Sequence, residues 1–384
     1  MNPATTTSTL QRWINGILIA LFMALLWLPG LDSVFHFDWT PQRSENRAMA
    51  AYPKLQPGWH GLQAYIAGLE AYFNDHFGCR KCLVQWHNKL ELYVFKDRVN
   101  HDVLFGKDNW LFFSEGQMVE HYSGQLQFTP EQLHDWQVLL EKRRDWLARR
   151  GIAYVFVAAP DKQSIYPEYL PSWVKKIRPQ TKLDQFFTYM HAHSTVPVLD
   201  LRDVVRDAKQ IRPTYLKTDT HWNFFGGFMA YQQLVKTLAG QVPGLDLQPT
   251  PITAFTVTNR LTAGGDMAKI LGLSMTESNA YFLMPKPELP KFTEKTARPD
   301  HPKDPKYTDN PQAMGRVIFF HDSFALTWFE FLPYNFNHVT YLWQYDLDSA
   351  WIEREKPDLV VSEMLERFFN IQDPKALMAK EALN

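Results

Sequence analysis

Apolar residues along this chain follow three rhythms, and each predicts a different kind of element. The first is an unbroken run. Ile14 to Leu31 reads INGILIALFMALLWLPGL, without a charge and with Asn15 as its one strongly polar group. About 18 apolar residues are enough to cross a bilayer as a helix. The second rhythm is helical spacing. It appears from Trp59 to Phe95 and again from Thr129 to Arg150, where Leu133, Trp136, Leu140 and Leu147 share a face. Thr129-Pro130-Glu131-Gln132 supplies an N-cap, a proline at the first helical position and the Gln of a capping box. Phe128 and Leu133 are placed for a hydrophobic staple, and Gly151 ends the helix. The third rhythm is the short apolar run bounded by polar residues, expected of strands buried on both faces. Ile152–Ala159 (IAYVFVAA), Val196–Leu199, Val317–Phe320, Val339–Leu342 and Leu359–Val361 fit it.

Helix-like segments separate these runs. In one of them Asn223 caps a helix with Phe224, Phe228, Tyr231, Val235 and Leu238 on its apolar stripe, and Gly226 and Gly227 let its backbone approach the sheet. Strands alternating with helices predict an α/β body: a doubly wound, mostly parallel sheet flanked by helices. Ahead of it lies a hairpin, Val103–Phe113, turning at Gly106-Lys107-Asp108-Asn109. The expected division is an anchor over 1–32, a connector and helical segment over 33–100, and the main domain over 101–384. Residues from Gly240 to Gln312 are less regular, and the proline-rich, charged stretch 285–311 reads as a surface loop.

Composition refines this picture in a few places. The chain has 384 residues, 45% of them hydrophobic and 21% charged, as a globular body requires. A formal net charge of -1 leaves no electrostatic footprint for nucleic acid. Arg12 before the apolar run and Asp32 after it favour an N-in orientation. No small-x-small cleavage site follows the run, which favours an uncleaved anchor over a removed signal peptide. In either case the body is exported, which in a Gram-negative cell means the periplasm. Cys79 and Cys82 form a lone C-x-x-C inside a helix-like stretch, and a local disulfide or two inert thiols suits that setting better than redox chemistry or zinc.

The chemistry concentrates in Asp219-Thr220-His221-Trp222 and His321-Asp322-Ser323-Phe324. A serine hydroxyl becomes a nucleophile when a base lies within hydrogen-bond reach and a carboxylate fixes the tautomer of that base. Ser323 follows the strand Arg316–Phe320 and starts a helix-like run, which exposes it at the carboxyl edge of a parallel sheet. Its own N–H is placed to face an oxyanion. Asp219 and His221 are two apart, which in an extended segment points both to one face. Two alternatives stay open. Asp322-Ser323 is also an ordinary N-cap signal, and Asp219, His221, His321 and Asp322 together are also a possible metal set. The preferred reading uses neither metal nor cofactor.

Taken in order, several segments resemble the AlgX/AlgJ-like alginate O-acetyltransferase family of the SGNH hydrolase-like superfamily. They are Glu45-Asn46-Arg47, Gly106 to Phe113, Pro160-Asp161-Lys162, Tyr166-Pro167-Glu168, Thr218 to Asn223, Gly265-Asp266-Met267-Ala268, Asp322-Ser323-Phe324, Lys356-Pro357-Asp358 and Glu366-Arg367. The Asp-x-His motif precedes the nucleophile motif, as in that family and opposite to ordinary SGNH esterases. The resemblance implies a periplasmic O-acetyltransferase that acetylates hydroxyls of an exopolysaccharide through a serine acyl-enzyme. Ser323 would be the nucleophile, His221 the base and Asp219 its partner. A multi-pass membrane acyltransferase would deliver the acetyl group, and other polysaccharide acetylation and export proteins would be partners. Trp222, Asp322, His321, Tyr345 and Arg367 are candidates for substrate or oxyanion contacts. His321 stands where the family places glycine. An O-acetyl esterase and a non-catalytic polysaccharide-binding scaffold are the competing functions.

Overall fold

The computed structural model describes residues 9–35, 49–90, 102–115, 117–242, 244–296, 298, 301, 303–381 and 383. Glu45-Asn46-Arg47 and the helical spacing beyond Leu90 lie outside the described residues. The chain divides into two compact units, 1–97 with 269–274 and 98–268 with 275–384.

The first unit carries three helices, α1 (Thr9–Phe35), α2 (Trp59–His76) and α3 (Arg80–Leu90). Within α1, Gln11–Phe35 has a mean hydropathy of 2.1, long and apolar enough to cross a membrane by length and composition. Cys79 and Cys82 are not joined by a disulfide.

The second unit starts with a hairpin, β1 (Val103–Phe105) and β2 (Leu111–Phe113), paired antiparallel as expected. Asp108 and Asn109 at its tip take left-handed backbone angles, φ 52° and 61°. Asp and Asn tolerate that region because their short side chains bond locally. There follow α4 (Met118–Tyr122), α5 (Pro130–Ala148), β3 (Ala153–Ala159), α6 (Lys162–Ile165), α7 (Lys182–His193), β4 (Val198–Asp200), α8 (Arg202–Ala208) and α9 (Phe224–Ala239). The Thr129–Gln132 capping box is present in both directions. Gly151 sits at φ 72°, where a side chain would be strained. Next come β5 (Phe255–Ala263), α10 (Asp266–Ile270), β6 (Thr276–Pro285), β7 (Thr293–Thr296), β8 (Lys306–Asp309), β9 (Arg316–Phe320), β10 (His338–Leu342), α11 (Ser349–Glu355), β11 (Leu359–Leu365) and α12 (Pro374–Lys380).

Seven strands form the main sheet in the order β4-β3-β11-β9-β10-β8-β7. The first five are parallel, and β8 and β7 add antiparallel at the edge. Alternate residues of each central strand feed two apolar layers. Val155, Val157, Val317, Phe319 and Val361 pack on one face with α9; Phe156, Ala158, Ile318, Phe320 and Val360 pack on the other with α5 and α7. Each such Val, Ile or Phe side chain contributes about 1.5–3 kcal/mol of burial, which explains why the strands read as unbroken apolar runs.

Two expectations are corrected. The stretch 285–311 is not a surface loop throughout, because it contributes β7 and β8 to the main sheet, and β5 and β6 pair as a long hairpin before it. Gly226 and Gly227 do allow a close approach, but not to the sheet. A Cβ on either would overlap Thr214 or Thr327.

Candidate functional site

Ser323 sits where β9 ends. Its turn is fastened on both sides by the neighbouring parallel strands. His321 N donates to Leu342 O at 3.0 Å, extending the pairing with β10. Asp322 N donates to Glu363 Oε2 of β11 at 3.0 Å. The Asp322 carboxylate accepts from Phe324 N (2.8 Å) at one oxygen, and from Tyr345 Oη (2.7 Å) and Leu365 N (2.9 Å) at the other. Asp322 is thus both the N-cap of the 3-10 helix Ser323–Glu330 and a staple to β11 and to the segment after β10.

His221 arrives on a loop between α8 and α9. A single bridge between Tyr215 and Trp222 closes the loop at its neck. Asn223 Oδ1 accepts from Gly226 N at 2.9 Å, the expected cap, while its amide donates to the carbonyls of Pro213 and Asn279. The tip is held from outside. Glu277 Oε2 accepts from both Thr218 N (2.8 Å) and Thr218 Oγ1 (2.7 Å). Lys162 Nζ donates to the carbonyls of Leu111 (2.7 Å) and Lys217 (3.2 Å), tying the loop to the hairpin. Burial brings the Lys162 amine down to about 7, against the pull of Asp219 and Asp266.

These two supports bring the three residues selected from sequence into one hydrogen-bonded chain. His221 Nε2 lies 2.8 Å from Ser323 Oγ, and His221 Nδ1 lies 2.7 Å from Asp219 Oδ1. The Asp219–His221 segment is a turn and not extended as expected. Asp219 Oδ1 accepts from His221 N as well (3.1 Å), so the carboxylate folds back on its own backbone two residues on. Burial alone would lower the imidazole. The bond and charge of Asp219, with Asp266 behind it, outweigh that and raise it above the ordinary histidine value. Burial acts to raise Asp219, but the hydrogen bond and charge of His221 win and hold it well below the usual carboxylate range.

The other sequence candidates form the cradle around this chain. Trp222 is 1% exposed, and its Nε1 donates to Phe324 O (3.0 Å) and Thr327 Oγ1 (2.9 Å), so it joins the two supports and offers no face to a sugar. His321 is 2% exposed, its Nδ1 bonds the Asp322 carbonyl at 2.7 Å, and burial lowers it to about 4. A neutral ring so committed packs the turn, and its Nε2 carries no proton for an oxyanion. Tyr345 holds Asp322, and burial beside Asp322 and Glu363 raises its phenol far above the ordinary value. Arg367 pairs with Asp161 at 2.8 Å over the Phe113 ring, 8% exposed. Trp222, His321 and Arg367 are thus buried and engaged in contacts around the site.

Sequence reasoning missed Asp266, Glu277 and Lys162 as supports. Asp219, His221 and Asp266 also bring three donor atoms within 4.8 Å of one another, as a cation site would need. The donor atoms are already engaged, however. Asp219 Oδ2 accepts from Asp266 N, Asp266 Oδ2 from Thr220, and both imidazole nitrogens are bonded. Of the other residues of the metal alternative, Asp322 spends both carboxylate oxygens on the turn, and His321 commits Nδ1 to the Asp322 carbonyl.

A family model described as "SGNH hydrolase-like domain, acetyltransferase AlgX" matches residues 103–334, more than half of the chain. The chain belongs to this family. A probable alginate O-acetylase AlgJ of Pseudomonas syringae pv. tomato is 26% identical over 310 residues, 80% of this chain and 73% of the relative. Among solved structures, Bacillus cereus PatB1 bearing a sulfonyl adduct superposes with a TM-score of 0.56 at 18% identity, covering 72% of this chain and 98% of PatB1. A DHHW family protein of Eubacterium siraeum superposes with a TM-score of 0.53 at 12% identity, covering 74% and 98%. Both likenesses are of fold.

Proposed function

We propose that this chain is a membrane-anchored, periplasmic O-acetyltransferase that acetylates hydroxyls of a secreted polysaccharide, alginate or a similar glycan, through an acetyl-serine intermediate. The observation that carries this reading is the Asp219–His221–Ser323 hydrogen-bonded chain at the carboxyl edge of the sheet in a member of an acetyltransferase family. The name of the Pseudomonas syringae relative points to alginate as the acceptor. The apolar helix α1 supports an anchor that keeps the enzyme beside a membrane-delivered acetyl donor.

The steps balance around one proton. His221 Nε2 takes the Ser323 hydroxyl proton as Oγ attacks the acetyl carbonyl of a donor ester. Collapse of the tetrahedral species breaks the donor ester bond, and the leaving alcohol takes the proton from His221. A sugar hydroxyl then gives its proton to His221 and attacks the acetyl-serine. Its acetate ester forms, and Ser323 Oγ leaves and recovers the proton. Asp219 holds Nδ1–H and stabilises the imidazolium. Phe324 N is already bonded to Asp322, so the Ser323 N–H is the backbone donor at the nucleophile that remains for the oxyanion.

An aryl acetate and an acidic oligosaccharide, incubated with the protein, separate the readings. Ester on the oligosaccharide, lost in Ser323→Ala, supports transfer. Acetate release without transfer supports an esterase. A wild type that gives neither transfer nor acetate release would leave only the scaffold.

A further inference from the structure

Besides Asp219, a second carboxylate stands close to the His221 ring. Asp266 lies at the start of α10, 47 positions beyond Asp219. Its backbone N–H donates to Asp219 Oδ2 at 2.9 Å, which leaves Asp219 Oδ1 for His221. Its side chain accepts from Thr220 N at 2.8 Å and from Thr220 Oγ1 at 2.6 Å. The Thr220 hydroxyl spends its proton on Asp266, so its oxygen, 3.1 Å from His221 Nδ1, presents a lone pair to the ring N–H. Asp266 Oδ2 itself stands 3.7 Å from Nδ1. The preceding residue is pressed equally close, since Gly265 N donates to Thr218 Oγ1 at 2.9 Å and a Cβ there would overlap Asp219.

We infer that Asp266 is a positioning residue of this site, fixing the imidazole through Thr220 and Asp219 and placing a second negative charge beside it. The inference rests on the acetyl-serine reading. Asp219 orients the ring by direct contact. Asp266 fixes the orienter, closes the turn that carries the ring, and favours the imidazolium that forms as Ser323 loses its proton. Other charged groups act on this corner too. The Arg367 guanidinium opposes the imidazolium, and the buried Lys162 amine feels both Asp219 and Asp266. Glu277 anchors Thr218 behind them. Burial and the charge of Asp219 raise Asp266 above the ordinary carboxylate value, as expected for the outer member of a carboxylate pair.

Asp266→Asn keeps the backbone donor and the shape but removes the charge. The base works as neutral imidazole, so activity rises with pH through the His221 midpoint. Loss of a nearby negative charge destabilises the imidazolium, so the acid limb moves to lower pH, by about half to one unit. The turnover plateau falls several-fold, with KM for the aryl acetate unchanged. Histidine-selective NMR of the same variant reads the His221 midpoint without any turnover and should show the same downward shift. A merely structural role would lower thermal stability and leave that midpoint in place; an unshifted midpoint overturns the inference. If the wild type shows no Ser323-dependent turnover, the acetyl-serine reading has failed, and the NMR titration still decides the role of Asp266. Should Asp266→Asn not fold, Thr220→Val removes the oxygen that links Asp266 to the ring. A several-fold fall in turnover at constant KM is then expected, and wild-type turnover overturns the inference.

Discussion

Ser323 and His221 meet at 2.8 Å, but they are held there by different kinds of structure. Ser323 follows a central parallel strand, and its turn is stapled through Asp322 to β11 and to Tyr345 just beyond β10. His221 rides a loop outside the sheet, held by isolated side chains: Glu277, Asp266, Lys162 and the Trp222 indole. A sheet edge distributes strain over many backbone bonds. A loop held by a few buried polar contacts concentrates it, because each broken contact leaves a buried donor unpaired at about 1–3 kcal/mol. Errors introduced in the loop should therefore appear first in catalysis, and errors under the sheet first in stability.

The sharpest way to break this contrast is Asp219→Asn. An amide offers its N–H to the ring and favours the wrong tautomer, so turnover should fall by roughly 10³–10⁴-fold with little change in melting temperature. A loss under tenfold would show that the loop holds the ring without Asp219. Gly265→Ala comes next. Its new methyl overlaps Asp219 and must push the loop aside. Displacement of about 1 Å costs on the order of 10²-fold in rate, while strain of about 1–3 kcal/mol is expected in stability. Wild-type turnover in this variant would mean that the 264–268 turn can yield without moving the base.

The smallest effect is expected under the nucleophile. Burial, and then the charge of Asp322, raises the Glu363 carboxyl well above its ordinary value and favours its protonated form. A folded state that keeps a proton the unfolded state has lost becomes less stable as pH rises from the ordinary Glu range toward the raised value. Glu363→Gln removes that penalty. Turnover should stay within about threefold of wild type, since glutamine is nearly isosteric. The variant should melt at or above the wild-type temperature, and the gap should widen as pH is raised. A gap that narrows with rising pH would mean that Glu363 is ionised in the folded protein.

The same contrast explains what the sequence disclosed. β3, β9, β10 and β11 are buried on both faces, so their apolar runs announced the sheet and placed Ser323 at its edge. Asp219 and His221 were legible as a motif, because the turn joining them is local. Their supports were not. Glu277 lies 59 positions beyond Thr218, and no period or spacing links the two. Trp222, His321 and Arg367 were candidates for substrate or oxyanion contacts beside the motifs; their depth of burial is set by the packing around them, which the sequence does not encode. The stretch 285–311 was misread because β7 (TEKT) is an exposed edge strand. Charge at such an edge guards against pairing with other chains, and it hides the alternation that marks a strand.

Mass measurement of the intact protein, after brief exposure to an aryl acetate at a pH above the His221 midpoint, tests the central claim most directly. The account predicts a gain of one acetyl group (about 42 Da by composition, the nucleophile chemistry being that of a serine ester), mapped to Ser323 and absent from Ser323→Ala and His221→Ala. An unmodified wild-type protein that nevertheless transfers acetyl groups, or an acetyl group that persists in Ser323→Ala, would contradict it.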